Sequence, residues 1–131
     1  MLANLTVREY MTPNPVIFTP ETDVFAAIRE LISRKITGAP VIDTKGKLVG
    51  VFSELDCLKI TLESAYHEGM PGKVGEFMTT DFQAVDDENS IAEVAEMFTK
   101  TNLRQFPVVE EGRLVGIISR VDVLKALVKL R

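Results

Sequence analysis

The stretch Gly50-Val51-Phe52-Ser53-Glu54-Leu55-Asp56 returns later in the chain, in the same pattern but with Arg120 in place of Glu54, as Gly116-Ile117-Ile118-Ser119-Arg120-Val121-Asp122. Each copy is an apolar run opened by glycine and closed by Ser-x-x-Asp. That is how a strand passes into a helix, because the serine and aspartate can cap the free N–H groups of a first helical turn. Outward from this pair the duplication continues. Gly46-Lys47-Leu48-Val49 precedes the first copy and Gly112-Arg113-Leu114-Val115 the second, at an offset of 66 (112 − 46). Pro40-Val41-Ile42 matches Pro107-Val108-Val109 at 67 (107 − 40), and Val7-Arg8-Glu9-Tyr10-Met11-Thr12 matches Val74-Gly75-Glu76-Phe77-Met78-Thr79 at 67 (78 − 11). The lost residue falls in the turn Asp43-Thr44-Lys45-Gly46, where connections tolerate length changes.

Each copy predicts the same order of elements. Val16-Ile17-Phe18, between Pro15 and Pro20, reads as a brief strand. Val24, Ala27, Ile28, Leu31 and Ile32 then recur at helical spacing behind Asp23, a plausible N-cap. In the second copy Ser90 and Glu93 form a Ser-x-x-Glu capping box ahead of Ile91, Val94, Ala95 and Phe98. Ala39 to Ile42 and Leu48 to Phe52, joined by a turn ending in Gly46, have hairpin grammar. A last helix follows, from about Leu55 towards Tyr66 in the first copy and from about Val121 to Val128 in the second. The fold class is therefore α+β, two tandem β-α-β-β-α repeats. Residues 1–66 form the first repeat, 67–73 a linker around Gly69-Met70-Pro71-Gly72, and 74–131 the second. Neither copy has enough helix to cover its own strands, so the repeats are expected to pack together with pseudo-two-fold symmetry.

Composition narrows the function classes. With 131 residues, 46% hydrophobic and 26% charged, the chain has the make-up of an ordinary folded domain. Its net charge of −4 speaks against a broad nucleic-acid surface, which needs clustered Lys and Arg. No apolar run approaches the roughly 20 residues of a membrane span. Cys57 stands alone and the amino-terminal residues carry no secretory pattern, so a cytoplasmic protein is expected. His67 has no second histidine or cysteine cluster near it, which argues against a metal site. Cys57 has no histidine partner along its motif and reads as a packing residue, Met70 and Met97 as gap fillers. Paired acid and base groups are missing, so no enzyme, catalytic residue or cofactor is expected.

These motifs resemble the CBS domain, paired as a Bateman module. The resemblance rests on Met11-Thr12 and Met78-Thr79, on Gly38-Ala39-Pro40-Val41 and Gln105-Phe106-Pro107-Val108, and most strongly on the two Gly-to-Asp stretches quoted first. It covers Val7 to about Leu127. It implies a regulatory module that binds an adenosine-containing effector, such as AMP, ADP, ATP or S-adenosylmethionine, in the cleft between repeats. By that resemblance Asp56 and Asp122 hold ribose hydroxyls and Ser53 and Ser119 contact phosphate. Backbone at Ala39 and Phe106 reads the adenine edge, and Val16, Ile17, Ala84 and Val85 wall the base. The chemistry is consistent: a carboxylate accepts from the two donors of a cis-diol, and a helix N-terminus favours an anion.

The position before each aspartate, often basic in the family, is Leu55 or Val121 here. Phosphate charge must then come from Arg104 and Arg120, where the first copy has Thr37 and Glu54. Two unequal sites are expected, the second the stronger. Apolar helical faces such as those of Leu58, Leu62, Leu124 and Val128, more than one pair of repeats is expected to cover, point to a homodimer, with a regulated protein partner in trans. The alternative is a ligand-free dimerisation or interaction module in which each Ser-x-x-Asp is only a helix cap.

Overall fold

The computed structural model of the chain describes residues 1–66 and 72–130. In chain order the elements are α1 (Val7–Tyr10), β1 (Thr12–Pro13), α2 (Val24–Arg34), β2 (Gly38–Ile42), β3 (Leu48–Ser53) and α3 (Glu54–Tyr66). There follow α4 (Val74–Phe77), β4 (Val85–Asp86), α5 (Ile91–Thr99), β5 (Gln105–Glu110), β6 (Arg113–Ser119) and α6 (Arg120–Lys129). They gather into two compact units that do not follow the repeats. One is Val16–Phe82, and the other joins Met1–Pro15 to Gln83–Arg131. Each unit thus takes its opening segment, α1-β1 or α4, from the other repeat. Of the expected linker, residues 67–71 lie outside the described residues, as do His67 and Met70.

In the unit Val16–Phe82, β2 and β3 form the antiparallel hairpin, with Gly38 opposite Ser53 and Pro40 opposite Val51. Its turn is held by Asp43, whose Oδ1 accepts from the N–H groups of Lys45 (2.8 Å) and Lys47 (3.0 Å). Gly46 supplies the left-handed backbone there, at φ 82°. The strand expected at Val16-Ile17-Phe18 shrinks to a single parallel bridge between Phe18 and Val41. The flanking prolines cut it short, since Pro20 has no N–H to extend a ladder. Helix α2 begins where expected, the Asp23 carboxylate accepting from the Ala26 N–H at 3.0 Å. Val24, Ala27 and Leu31 are buried, but Ile32 is exposed. At 100° per residue Ile32 lies 80° around the helix from Val24, at the margin of the apolar stripe.

In the other unit the strand order is β1-β6-β5-β4, with β4 parallel to β5 and the remaining pairs antiparallel. The β5-β6 loop is two residues, Glu111 (φ 52°) and Gly112 (φ 82°), both left-handed as a tight hairpin requires. The capping box of α5 closes as expected, with Ser90 N–H to Glu93 Oε1 at 2.9 Å and Glu93 N–H to Ser90 Oγ at 3.1 Å.

The exchanged segments are fixed by one bonding pattern used twice. Val7 N–H donates to Asn89 O at 2.9 Å, Arg8 N–H to Asp87 O at 3.0 Å, and Ile91 N–H to Leu5 O at 2.8 Å. Shifted by 67 residues, Val74 N–H donates to Thr22 O (2.9 Å), Gly75 N–H to Pro20 O (2.9 Å), and Val24 N–H to Gly72 O (3.0 Å). Val7 and Val74 are fully buried, each in the core of the unit its segment joins. Burying one such side chain contributes roughly 1.5–3 kcal/mol. Each core also contains one aromatic pair, at different positions. Phe18 meets Phe52 edge to face at 6.1 Å, whereas Phe98 stacks on Phe106 at 4.4 Å. The places of Phe98 and Phe106 are taken in the first copy by Leu31 and Ala39, so each core places its ring pair at its own positions.

The glycine that opens each motif now has a reason. A Cβ on Gly116 would lie 2.7 Å from the Thr12 carbonyl oxygen and 2.9 Å from Met11 Sδ. A Cβ on Gly50 would lie 2.7 Å from Met78 Sδ and 3.0 Å from the Thr79 carbonyl oxygen. The repeated Met-Thr pairs and the repeated glycines are two sides of one close approach.

Candidate functional site

Both Ser-x-x-Asp motifs sit where a strand becomes a helix, and in both the aspartate is turned inward. Asp56 is 3% and Asp122 9% exposed. The two clusters spend their polar atoms differently. Asp56 Oδ2 accepts from Ser53 N–H at 2.9 Å and from the Ser53 hydroxyl at 3.1 Å, and its Oδ1 accepts from the Thr79 hydroxyl at 3.0 Å. Asp122 Oδ2 accepts from Ser119 N–H at 2.8 Å, while Ser119 Oγ accepts from Asp122 N–H at 3.2 Å. The Ser119 hydroxyl therefore keeps its proton to donate, and Oδ1 of Asp122 accepts no bond from any described residue. Both motifs act as caps, but only in the second are the serine proton and one carboxylate oxygen left without a partner among the described residues.

The positions upstream of the prolines are brought to these motifs by the backbone. Glu54 N–H donates to Thr37 O at 2.9 Å, and Arg120 N–H to Arg104 O at 3.2 Å. Thr37 thus joins Ser53 and Asp56, and Arg104 joins Ser119, Arg120 and Asp122. Arg104 is exposed. Arg120 is committed to local structure: Nε donates to Leu103 O at 2.9 Å, Nη2 to Thr101 O at 3.2 Å, and the guanidinium lies 5.9 Å from the centre of the Phe98 ring. Ala39 and Phe106 bury their side chains, pairing with Phe52 and Ile118. Only their backbone could face a ligand.

Among the expected base walls, Val16 and Ala84 are half-buried and Ile17 is 42% exposed. Val85 is not a wall, because its side chain belongs to the core. The parallel bridges explain why: Val85 pairs with Val108 as Phe18 does with Val41, so Val85 is the counterpart of Phe18, one position beyond the outward residues.

Sequence reasoning gave no site role to Thr79, although the Met-Thr repetition pointed at it. It also passed over Asp87, 1% exposed and bonded to Arg8, which in turn reaches Glu110 at 3.0 Å. Cys57 is half-buried, and burial, then the Asp56 carboxylate, push its thiol above the ordinary range. Among the described residues no group of three or more His, Cys, Asp or Glu could hold a metal ion. No helix among them is long and apolar enough to cross a membrane.

A duplicated strand-to-helix junction, each copy carrying a capped carboxylate and hydroxyl, defines a tandem-repeat protein built on one motif used twice. The CBS domain family model matches residues 7–63 and 74–129, and the chain belongs to that family. It is 34% identical over 94% of its length to the A-adding tRNA nucleotidyltransferase of Aquifex aeolicus, of which it spans 14%. It is 29% identical over 96% of its length to the chloroplastic CBS domain-containing protein CBSX2 of Arabidopsis thaliana, of which it spans 65%. The chain thus spans less than two thirds of these curated relatives. A crystal structure of CBSX2 in complex with AMP matches with a TM-score of 0.85 and 33% identity, covering 97% of this chain and 98% of that one.

Proposed function

We propose that this chain is a regulatory module that binds an adenosine-containing nucleotide through its Ser-x-x-Asp motifs and catalyses no reaction. The observation that carries this reading is the likeness to CBSX2, whose structure in complex with AMP covers nearly the whole of this chain. The unspent Ser119 hydroxyl and Asp122 Oδ1 support it: one offers a donor to a phosphate oxygen and the other an acceptor to a ribose hydroxyl. Arg104, exposed and tied to Arg120 through its backbone, is the cation best placed to meet the phosphate. Arg120 serves instead to hold residues 101–103. AMP is the first ligand to test, with ADP, ATP and S-adenosylmethionine beside it.

Titration calorimetry tests the reading. AMP should bind, Asp122→Ala should remove the main phase, and Asp56→Ala should spare it. Failure of every adenosine compound to bind would overturn it. The second reading, a ligand-free dimerisation module, draws on the outward apolar residues of the last helices, Leu58 and Leu62 on α3 and Leu124 and Val128 on α6. Assembly fits the nucleotide reading as well, so a homodimer in the cytoplasm, regulating a protein partner in trans, completes the proposal. Light scattering that finds only monomer at micromolar concentration would remove the dimer from it.

A further inference from the structure

The two motifs have the same residues at Ser and Asp, yet one carboxylate is closed from within. Three donors converge on Asp56, and the third, the Thr79 hydroxyl at 3.0 Å, occupies the oxygen that in Asp122 accepts nothing. Thr12, the counterpart of Thr79 at the 67-residue offset, is exposed and makes no bond to Asp122. Thr79 is half-buried, held by paired backbone bonds to Val51 at 2.9 and 2.8 Å. Its hydroxyl presents to Oδ1 the same chemistry as a ribose hydroxyl, a single O–H donor.

From this geometry we propose that Thr79 is an affinity-setting residue of the first motif: its hydroxyl competes with a ligand diol for Asp56 Oδ1 and keeps that motif the weaker of the two. This rests on the nucleotide reading above. A ribose hydroxyl taking the place of the Thr79 hydroxyl at Oδ1 gains one charge-assisted hydrogen bond while the protein loses an equivalent internal one. Removing the internal donor without changing shape leaves the gain uncancelled. Hydrogen bonds to charged groups are strong enough that affinity should rise about ten-fold or more.

The test uses the full chain with Asp122→Ala, which isolates the first motif, and AMP as the probe in calorimetry. Adding Thr79→Val should tighten AMP binding about ten-fold, whereas Thr79→Ser, which keeps the hydroxyl, should match the unmodified Thr79. Thermal unfolding checks that each variant is folded, and Thr79→Ala replaces the valine variant if that one is not. AMP binding to the original chain with no gain from removing the hydroxyl overturns this inference and leaves the nucleotide reading standing. Absence of AMP binding to the original chain and to every variant overturns both.

Discussion

Replacing Gly116 by alanine tests whether the exchanged amino-terminal segment is seated by close backbone approach. The added Cβ would meet the Thr12 carbonyl oxygen at 2.7 Å and Met11 Sδ at 2.9 Å. Sulfur at the end of a flexible side chain can turn away, but a carbonyl in β1 cannot move without disturbing the Thr12–Ile117 and Pro13–Gly116 pairs. Relief needs a shift of more than about half an ångström in β1. Overpacking of this kind costs about 1–3 kcal/mol, offset by about 0.4–1 kcal/mol from the reduced freedom of the unfolded alanine chain. The net loss is about 1–2 kcal/mol, a Tm drop of roughly 4–10 °C for a chain of this size. Gly50→Ala should cost less than half as much, because its closest neighbour is the movable Met78 Sδ and the Thr79 carbonyl stands off at 3.0 Å. Urea unfolding should show a lowered midpoint for Gly116→Ala at unchanged slope. An unchanged or raised midpoint, or a larger loss for Gly50→Ala, would refute the reasoning.

Arg8→Ala should lower Tm more than Lys73→Ala. The first leaves Asp87 buried without its cation, whereas Glu21, the partner of Lys73 at 2.6 Å, is well exposed; differential scanning calorimetry compares them. Cys57 should react with iodoacetamide more slowly at neutral pH than a free cysteine peptide, and only alkaline solution should close the gap, since burial and Asp56 raise its pKa. The backbone donors of Lys47 and Lys45 hold the Asp43 carboxyl below its ordinary range. Its contribution to stability is therefore present at neutral pH and lost as the pH falls through the lowered value, so Asp43→Ala should flatten part of the acid limb of a stability profile.

Much of the local structure was legible because its causes are local. Asp23 and Ser90 cap the helices they precede, and the turn that loses a residue lies where the offset changes. The errors have equally physical sources. The strand at Val16-Ile17-Phe18 needed a ladder that the prolines do not allow. Ile32 fell at the margin of a stripe that spacing alone could not bound. Val85 lies one residue past half-buried Ala84, and along a strand one step turns a side chain from the outer face to the core.

Residue order alone establishes that one unit is written twice, that each copy ends in a strand-to-helix junction marked by Ser-x-x-Asp, and which family this resembles. These follow from residue order, because caps, turns and periodicity act over a few positions. The tertiary structure alone decided that each folding unit borrows its opening segment from the other repeat, since backbone bonds such as Val7 to Asn89 and Val74 to Thr22 join residues far apart in the chain. It also decided that identical Ser and Asp residues are spent differently. Whether Oδ1 of the aspartate meets an internal donor depends on where a distant threonine hydroxyl comes to rest, and nothing in the motif encodes that distance.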